Sequence, residues 1–278
     1  MTDAKAVVER HYSQADLGDK ILEAVRAAGK DPNALVPADL TPFDQFHLRG
    51  DAATRELAGM AELRPDLAVL DVGSGIGGPA RFLATEFGCR VTGLDLTEDF
   101  CRTATMLTAR TGLADRVSFR QGDALAMPFA DGDFDVVWTQ HAAMNIADKA
   151  RLYAESHRVL RPGGRLALND VLAGPKVDGL HFPVPWASSA ELSFLIPPDA
   201  LRDLLTSAGF RQCAWRDCTD AVIAWFQEMR ARRDSAAAEV PGRHLVVGPD
   251  FRTRLANLDR NIREERLRVV QAVFERTD

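Results

Sequence analysis

Only four cysteines occur among the 278 residues, and they are scattered at 89, 101, 213 and 218. No C-x-x-C pair is formed and no histidine stands at zinc-ligand spacing, so the sequence predicts neither a metal centre nor a disulfide framework, but plain thiols in a reducing compartment. No run approaches eighteen uninterrupted apolar residues, which argues against a membrane-spanning helix. The N-terminal MTDAKAVVERHYSQ carries charges where a signal peptide needs its apolar stretch, so a cytoplasmic location is expected. Lysine and arginine form no run, and the net charge is -6. Phosphate neutralisation dominates nucleic-acid binding, so this balance points away from DNA and RNA and towards a small molecule. Repeats and low-complexity tracts are absent too.

What is present is an ordinary globular composition, 46% apolar and 27% charged, enough to bury a sizeable core. From Val69 to Cys213 short β-branched runs alternate with helical segments, the pattern of a parallel sheet wound with helices on both faces. The strands read as AVLDVG, RVTGLDL, VSFRQGD, FDVVWTQ, RLALNDVL and RQCAWRD, with helices at 79–87, 97–111 and 148–160, and a further helix in PDALRDLLTSAGF. RLRVVQAVFER reads as a last strand. The predicted fold class is α/β, a doubly wound, Rossmann-like, seven-stranded and mostly parallel sheet whose last strand is antiparallel. Residues 1–58 read as helices around a Pro-broken loop and are expected to lie over the carboxyl edge of the sheet as a lid. Residues 59–278 make the main domain, with a helical insertion at 220–264. The Pro-rich segment 170–198 is too long for a plain connection.

AVLDVGSGIGGPARFLA, residues 68–84, runs a strand through a glycine cluster into a helix. Gly73, Gly75 and Gly78 satisfy G-x-G-x-x-G, the dinucleotide fingerprint. Asp71 is at odds with it, because a pyrophosphate on a helix N-terminus is disfavoured by a carboxylate at the strand end. Asp95 closes the second strand, where a carboxylate can accept both hydroxyls of a ribose. Asp123, in GDALAMPF, is placed to accept from an adenine amino group between apolar walls of Leu96, Ala124 and Met127. A nucleoside across the strand ends fits all three aspartates.

Taken in order, VLDVGSGIGG, the acidic end of VTGLDL, GDALAMPF, FDVVWTQHA and RVLRPGGRL resemble the class I S-adenosylmethionine-dependent methyltransferases. HYSQADLGDKILEAV and FHLRGDAATRELA extend the resemblance to a small-molecule branch that includes sarcosine/dimethylglycine, phosphoethanolamine and tocopherol methyltransferases. The resemblance implies S-adenosylmethionine as cofactor and S-adenosylhomocysteine as product. Asp71, Gly73, Ser74, Gly75 and Gln140 would face the methionine end, whose ammonium and sulfonium suit a carboxylate beside the glycines. Asp95 and Leu96 would hold the ribose side, and Asp123 and Ala124 the adenine. Tyr12 matches a tyrosine that reaches over the cofactor in the family, and His47 and Gly50 lie in a segment like its H-x-G-G loop. Arg49, standing for a glycine there, is expected in solvent.

His141 is the candidate base or orienting residue, with Tyr12 beside it as a catalytic candidate. The amine methyltransferases of this branch carry an acid at the position of His141 and a histidine four residues later, where this chain has Asn145. Asn145, Phe182, Trp186 and Phe194 are the expected acceptor-binding residues. The sequence-based expectation is methyl transfer to a small molecule, at an amine nitrogen, with O- or C-methylation of a phenolic, quinone or terpenoid metabolite as the alternative. A non-catalytic S-adenosylmethionine-binding scaffold is the alternative of another class, and an NAD-dependent oxidoreductase is more distant.

Overall fold

β-branched and aliphatic residues in runs of five to seven build the centre of the molecule. In the computed structural model, which describes residues 16–234, 248 and 250–278, they form β1 (Ala68–Val72), β2 (Arg90–Asp95), β3 (Val117–Gln121), β4 (Phe134–Gln140), β5 (Leu160–Ala173), β6 (Phe210–Asp217) and β7 (Leu267–Arg276). The spatial order is β3-β2-β1-β4-β5-β7-β6. The first five strands pair in parallel, and β7 is inserted antiparallel between β5 and β6. The predicted sheet is therefore the observed one.

Alternation along each strand divides two cores. Leu70, Leu94, Val137 and Leu166 face one side, packed under Leu152 and Val159 of helix α6 (Lys149–Val159) and Leu201 and Leu205 of α7 (Pro198–Ser207). Val69, Val91, Val136 and Trp138 face the other, covered by Leu57 and Ala58 of α3 (Gly50–Met60) and Ala80 and Leu83 of α4 (Gly78–Phe87). Order reverses at β1, whose neighbours are β2 on one side and β4 on the other. In open α/β sheets the crevice at such a switch point receives the ligand.

Three expectations are corrected. Residues 37–44, expected as a Pro-broken loop, form helix α2 (Pro37–Asp44): Pro37 starts it, and the Asp39 carboxylate accepts from the Val36 amide at 3.0 Å, reciprocating the helix entry. Helix α3 belongs to the layer on the sheet rather than to a lid, because it packs on β5 and β7, where Gln271 Nε2 donates to Ala53 O at 2.7 Å. PGG at 162–164 lies inside β5, where the register slips between Phe134 and Val136, instead of preceding the strand. Helix α1 (Leu17–Ala27) packs through Leu17 and Ile21 onto Phe100 and Leu107 of α5 (Glu98–Arg110). Tyr12 and, within the helical insertion expected at 220–264, residues 235–247 and 249 lie outside the described residues.

The N-terminal helices are fastened by a buried ion pair. Arg81, 1% exposed, donates to Asp44, 3% exposed, at 2.8 Å. The same guanidinium donates to Ile76 O at 2.8 Å in the glycine loop and to Thr108 Oγ1 at 3.0 Å in α5. One side chain thus joins α2, the loop and two sheet-covering helices.

Candidate active site

The strand ends open into a cavity of about 360 Å³, bounded by the glycine loop, the turn after β4, and residues 44–48. Gly73 and Ser74 donate their amides to Leu94 O at 2.8 and 3.2 Å, which folds the loop back over β2. Gly73 has φ +76°, and a Cβ there would come within 2.5 Å of the Ala142 Cβ. Gly78 is required by the neighbouring segment, since its Cβ would meet Asp44 O at 2.3 Å. The fingerprint spacing therefore serves two close approaches of backbone.

Asp95 accepts from the Gly75 amide at 2.8 Å through Oδ2 and from the Thr97 amide at 2.9 Å through Oδ1. The Thr97 hydroxyl and the Leu96 amide also bond to this carboxylate. Burial raises its pKa, opposed by these backbone bonds. Asp123 lines the cavity and accepts from the Leu125 amide at 3.0 Å. Leu96, Ala124 and Leu125 form the adjoining wall. Met127, expected there, is turned into the core with Leu94 and Val137.

Asp71 lies beneath the loop rather than on the cavity surface. It is 2% exposed, its Oδ2 has no partner, and burial together with the nearby Asp95 charge pushes it up to about 7. A cation held against the loop would favour its ionised form. Gln140, 8% exposed, has its Oε1 fixed by the Trp138 indole at 3.0 Å and the Thr54 hydroxyl at 3.2 Å. Its Nε2 is left without a partner on the cavity wall. A buried carboxyl and a buried amide donor, both unsatisfied beside a glycine loop, fit a ligand end that carries an ammonium and a carboxylate.

His141 directly follows Gln140 and has φ +53°, a strained backbone for a non-glycine residue. Burial, with the His47 ring centroid 6.2 Å away, pushes its pKa down to about 3, so the imidazole is neutral. Its Nε2 has no partner. His47 also lines the cavity, within 3.0 Å of Gly50 O and 2.9 Å of Thr54 Oγ1 through Nε2. A carbonyl only accepts, so Nε2 of His47 carries the proton. Arg49 is not in solvent: it grips Glu56 through both guanidinium nitrogens, at 2.9 and 2.5 Å.

Of the expected acceptor-binding residues, Asn145 and Trp186 line the cavity, whereas Phe182 and Phe194 do not. The remaining wall at that end is Met144, Pro185, Trp225, Phe251, Leu255 and Leu258. Trp225 comes from α8 (Thr219–Asp234), and the last three come from α9 (Phe251–Arg263). Sequence reasoning missed them because an amphipathic helix shows which of its faces is buried without showing against what. The Trp225-Phe226 pair was the available signal.

The acceptor wall is clasped by Lys149. Its buried ammonium donates to Ala143 O and Ile146 O at 2.6 Å each and to Phe194 O at 2.7 Å, using all three protons. Burial lowers its pKa to about 8, opposed by the charge of Asp170. Lys149→Met strands three carbonyls and should raise the acceptor KM roughly tenfold while leaving the S-adenosylhomocysteine dissociation constant unchanged. Steady-state kinetics beside calorimetry checks this, and an unchanged KM would deny Lys149 that role.

Residues 70–168 match a family model described as a methyltransferase domain. The glycine/sarcosine/dimethylglycine N-methyltransferase of Actinopolyspora halophila is 28% identical over 230 residues, which are 80% of this chain and 38% of that protein. The 27-O-demethylrifamycin SV methyltransferase of Amycolatopsis mediterranei (strain S699) is 40% identical over 128 residues, 46% of this chain and 47% of that one. The chain thus spans less than half the length of these two curated relatives. Among solved structures, the geranyl diphosphate C-methyltransferase from Streptomyces coelicolor A3(2), in complex with Mg2+, geranyl diphosphate and S-adenosyl-L-homocysteine, has a TM-score of 0.71 at 20% identity. It covers 99% of this chain and 98% of that one, a likeness of fold.

Proposed function

We propose, on the premise that residues 70–168 form a methyltransferase domain, that the protein transfers the methyl group of S-adenosylmethionine to a small-molecule acceptor, at an amine nitrogen. The cofactor supplies an electrophilic methyl group on a sulfonium. The chain's part is binding, alignment and exclusion of water. Asp95 accepts from the ribose hydroxyls, Asp123 from the adenine amino group, and the Gln140 amide donates to the carboxylate of the methionine end. Asp71 favours positive charge at the loop. His141 accepts a hydrogen bond from an acceptor N–H, which turns the nitrogen lone pair away from the imidazole. Such positioning is worth roughly 7 to 11 kcal/mol in well-oriented systems.

The observation that carries the nitrogen reading is the neutral, unpartnered imidazole of His141. A group with a pKa of about 3 is a poor base for an alcohol or phenol. An uncharged amine arrives with a lone pair and needs no base. The observation that favours O-methylation as the second reading is that same unpartnered Nε2, on a residue that lines the cavity. Release of S-adenosylhomocysteine from a panel of amines and matched hydroxyl compounds separates the two. Binding of cofactor without release from any acceptor would favour the scaffold.

His141→Asn retains a residue that tolerates φ +53° and removes the ring. Turnover should fall by about tenfold or less, the value of one hydrogen bond. The wild-type rate should show no inflection near 6.5, because the folded ring stays neutral down to about pH 3. The unfolded ring takes up a proton near 6.5, so stability from this group should decline as pH falls from 6.5 towards 3. A loss of roughly 10²-fold or more, with disappearance of an acidic limb, would instead make His141 the base.

A further inference from the structure

The methyl-transfer reading leaves the acceptor's chemical class open, and the far half of the cavity bears on it. Met144 from the turn after β4, Trp186 and Pro185 from the segment after β5, and Trp225, Phe251, Leu255 and Leu258 from helices α8 and α9 meet there. The Trp186 indole N–H donates to Ser193 Oγ at 2.9 Å, so only the apolar part of the ring is left to the cavity. The charged groups nearby are committed elsewhere. Arg254, 7% exposed, donates through Nη1 to Val184 O at 2.7 Å while its Nε stays without a partner, and it is not among the residues lining the cavity; Arg49 grips Glu56, and Asp44 is locked to Arg81. Among the described residues no lysine or arginine lines the cavity. An acceptor carboxylate or phosphate seated here would lose water without gaining a counter-charge. The buried polar atoms without partners on this side are Nε2 of His141 and Oδ1 of Asn145; the amide oxygen accepts, so it calls for an N–H or O–H on the ligand, and such a group can also pair with the neutral imidazole.

Building on the methyl-transfer reading, we infer that the acceptor presents a flat apolar ring system and carries no carboxylate or phosphate. The ring lies against Trp186, Trp225 and Phe251, and its N–H or O–H meets His141 and Asn145. Amino-acid and phosphobase acceptors are excluded by this wall, and Trp225, Phe251 and Leu255 set the specificity.

The test uses the full chain and three probes: naphthylamine, uncharged near neutral pH, sarcosine and phosphoethanolamine. Each is titrated with and without saturating S-adenosylhomocysteine. Naphthylamine should bind in both states, at least about tenfold tighter than either charged probe. Trp225→Ala and Phe251→Ala should each weaken naphthylamine about tenfold with S-adenosylhomocysteine affinity unchanged, and Trp225→Phe should keep most of it. Leu255→Arg should shift preference towards phosphoethanolamine. Tighter binding of sarcosine or phosphoethanolamine to the wild type overturns the inference, as does naphthylamine binding that ignores Trp225→Ala or is displaced by S-adenosylhomocysteine. Failure of S-adenosylhomocysteine to bind, with naphthylamine still sensitive to Trp225, overturns the cofactor reading and upholds the ring subsite.

Discussion

Asp95→Ala is expected to weaken S-adenosylhomocysteine binding by roughly 10²- to 10⁴-fold, from the loss of two hydrogen bonds to an ionised acceptor at about 1.5 to 3 kcal/mol each. The effect has a second source in the loop. Asp95 Oδ2 holds the Gly75 amide at 2.8 Å and Oδ1 holds the Thr97 amide at 2.9 Å. Removing the carboxylate therefore also loosens the glycine turn and the start of α5. Asp95→Asn should recover little, because its amide N–H₂ would face a backbone N–H, donor against donor. Calorimetry on variants with wild-type circular dichroism measures the change. An unaltered dissociation constant would place the ribose elsewhere.

Asp44→Ala is expected to cost about 3 to 5 kcal/mol of stability, the range for leaving one member of a buried ion pair without its partner. For a chain of this size that corresponds to a fall in Tm on the order of 10 °C. Arg81 keeps its bonds to Ile76 O and Thr108 Oγ1, so the charge is not stripped of every contact, but it loses its counter-ion at 1% exposure. The Asp44 backbone also lies against Gly78, so the variant should let residues 44–48 move off the cofactor loop and weaken S-adenosylhomocysteine binding. Thermal unfolding with and without ligand reads both effects. A Tm within a degree of wild type would show that the pair contributes no net stability.

Much of the sheet was legible because its signals are local. Short, nearly continuous apolar runs at β1 and β4, with turn residues between, mark each strand without reference to its neighbours. FDVVWTQ was read to its residue bounds, and LRVVQAVFER is the inserted antiparallel strand. Helix α2 escaped because Pro37 and Pro42 were read as breakers, whereas Pro37 occupies the first helical position, where its missing N–H costs nothing. That Gly73, Asp95 and Asp123 line one cavity was legible for the same reason as the strands. Gly73, Asp95 and Asp123 sit at strand ends, and a strand's end in a parallel sheet is already a location.

The acceptor side was not legible in this way. Trp186 and Asn145 line the cavity, but Phe182 and Phe194, chosen from the same Pro-rich segment as Trp186, do not. Trp225 and Phe251 reach it from helices more than thirty residues downstream. Nothing in their local pattern distinguishes a wall of the pocket from a wall of the core. The basicity of His141 was likewise decided in three dimensions, since its descent from 6.5 to about 3 comes from burial and from His47, ninety-four positions earlier in the chain. By itself the sequence determined the strands of a mostly parallel sheet and the carboxylates that stand at their ends, because these follow from short apolar runs and from residues a few positions apart. Only the tertiary structure decided which side chains meet across the cavity, which charges are paired and how basic each site group is, because desolvation and contact depend on what other segments bring to the same place.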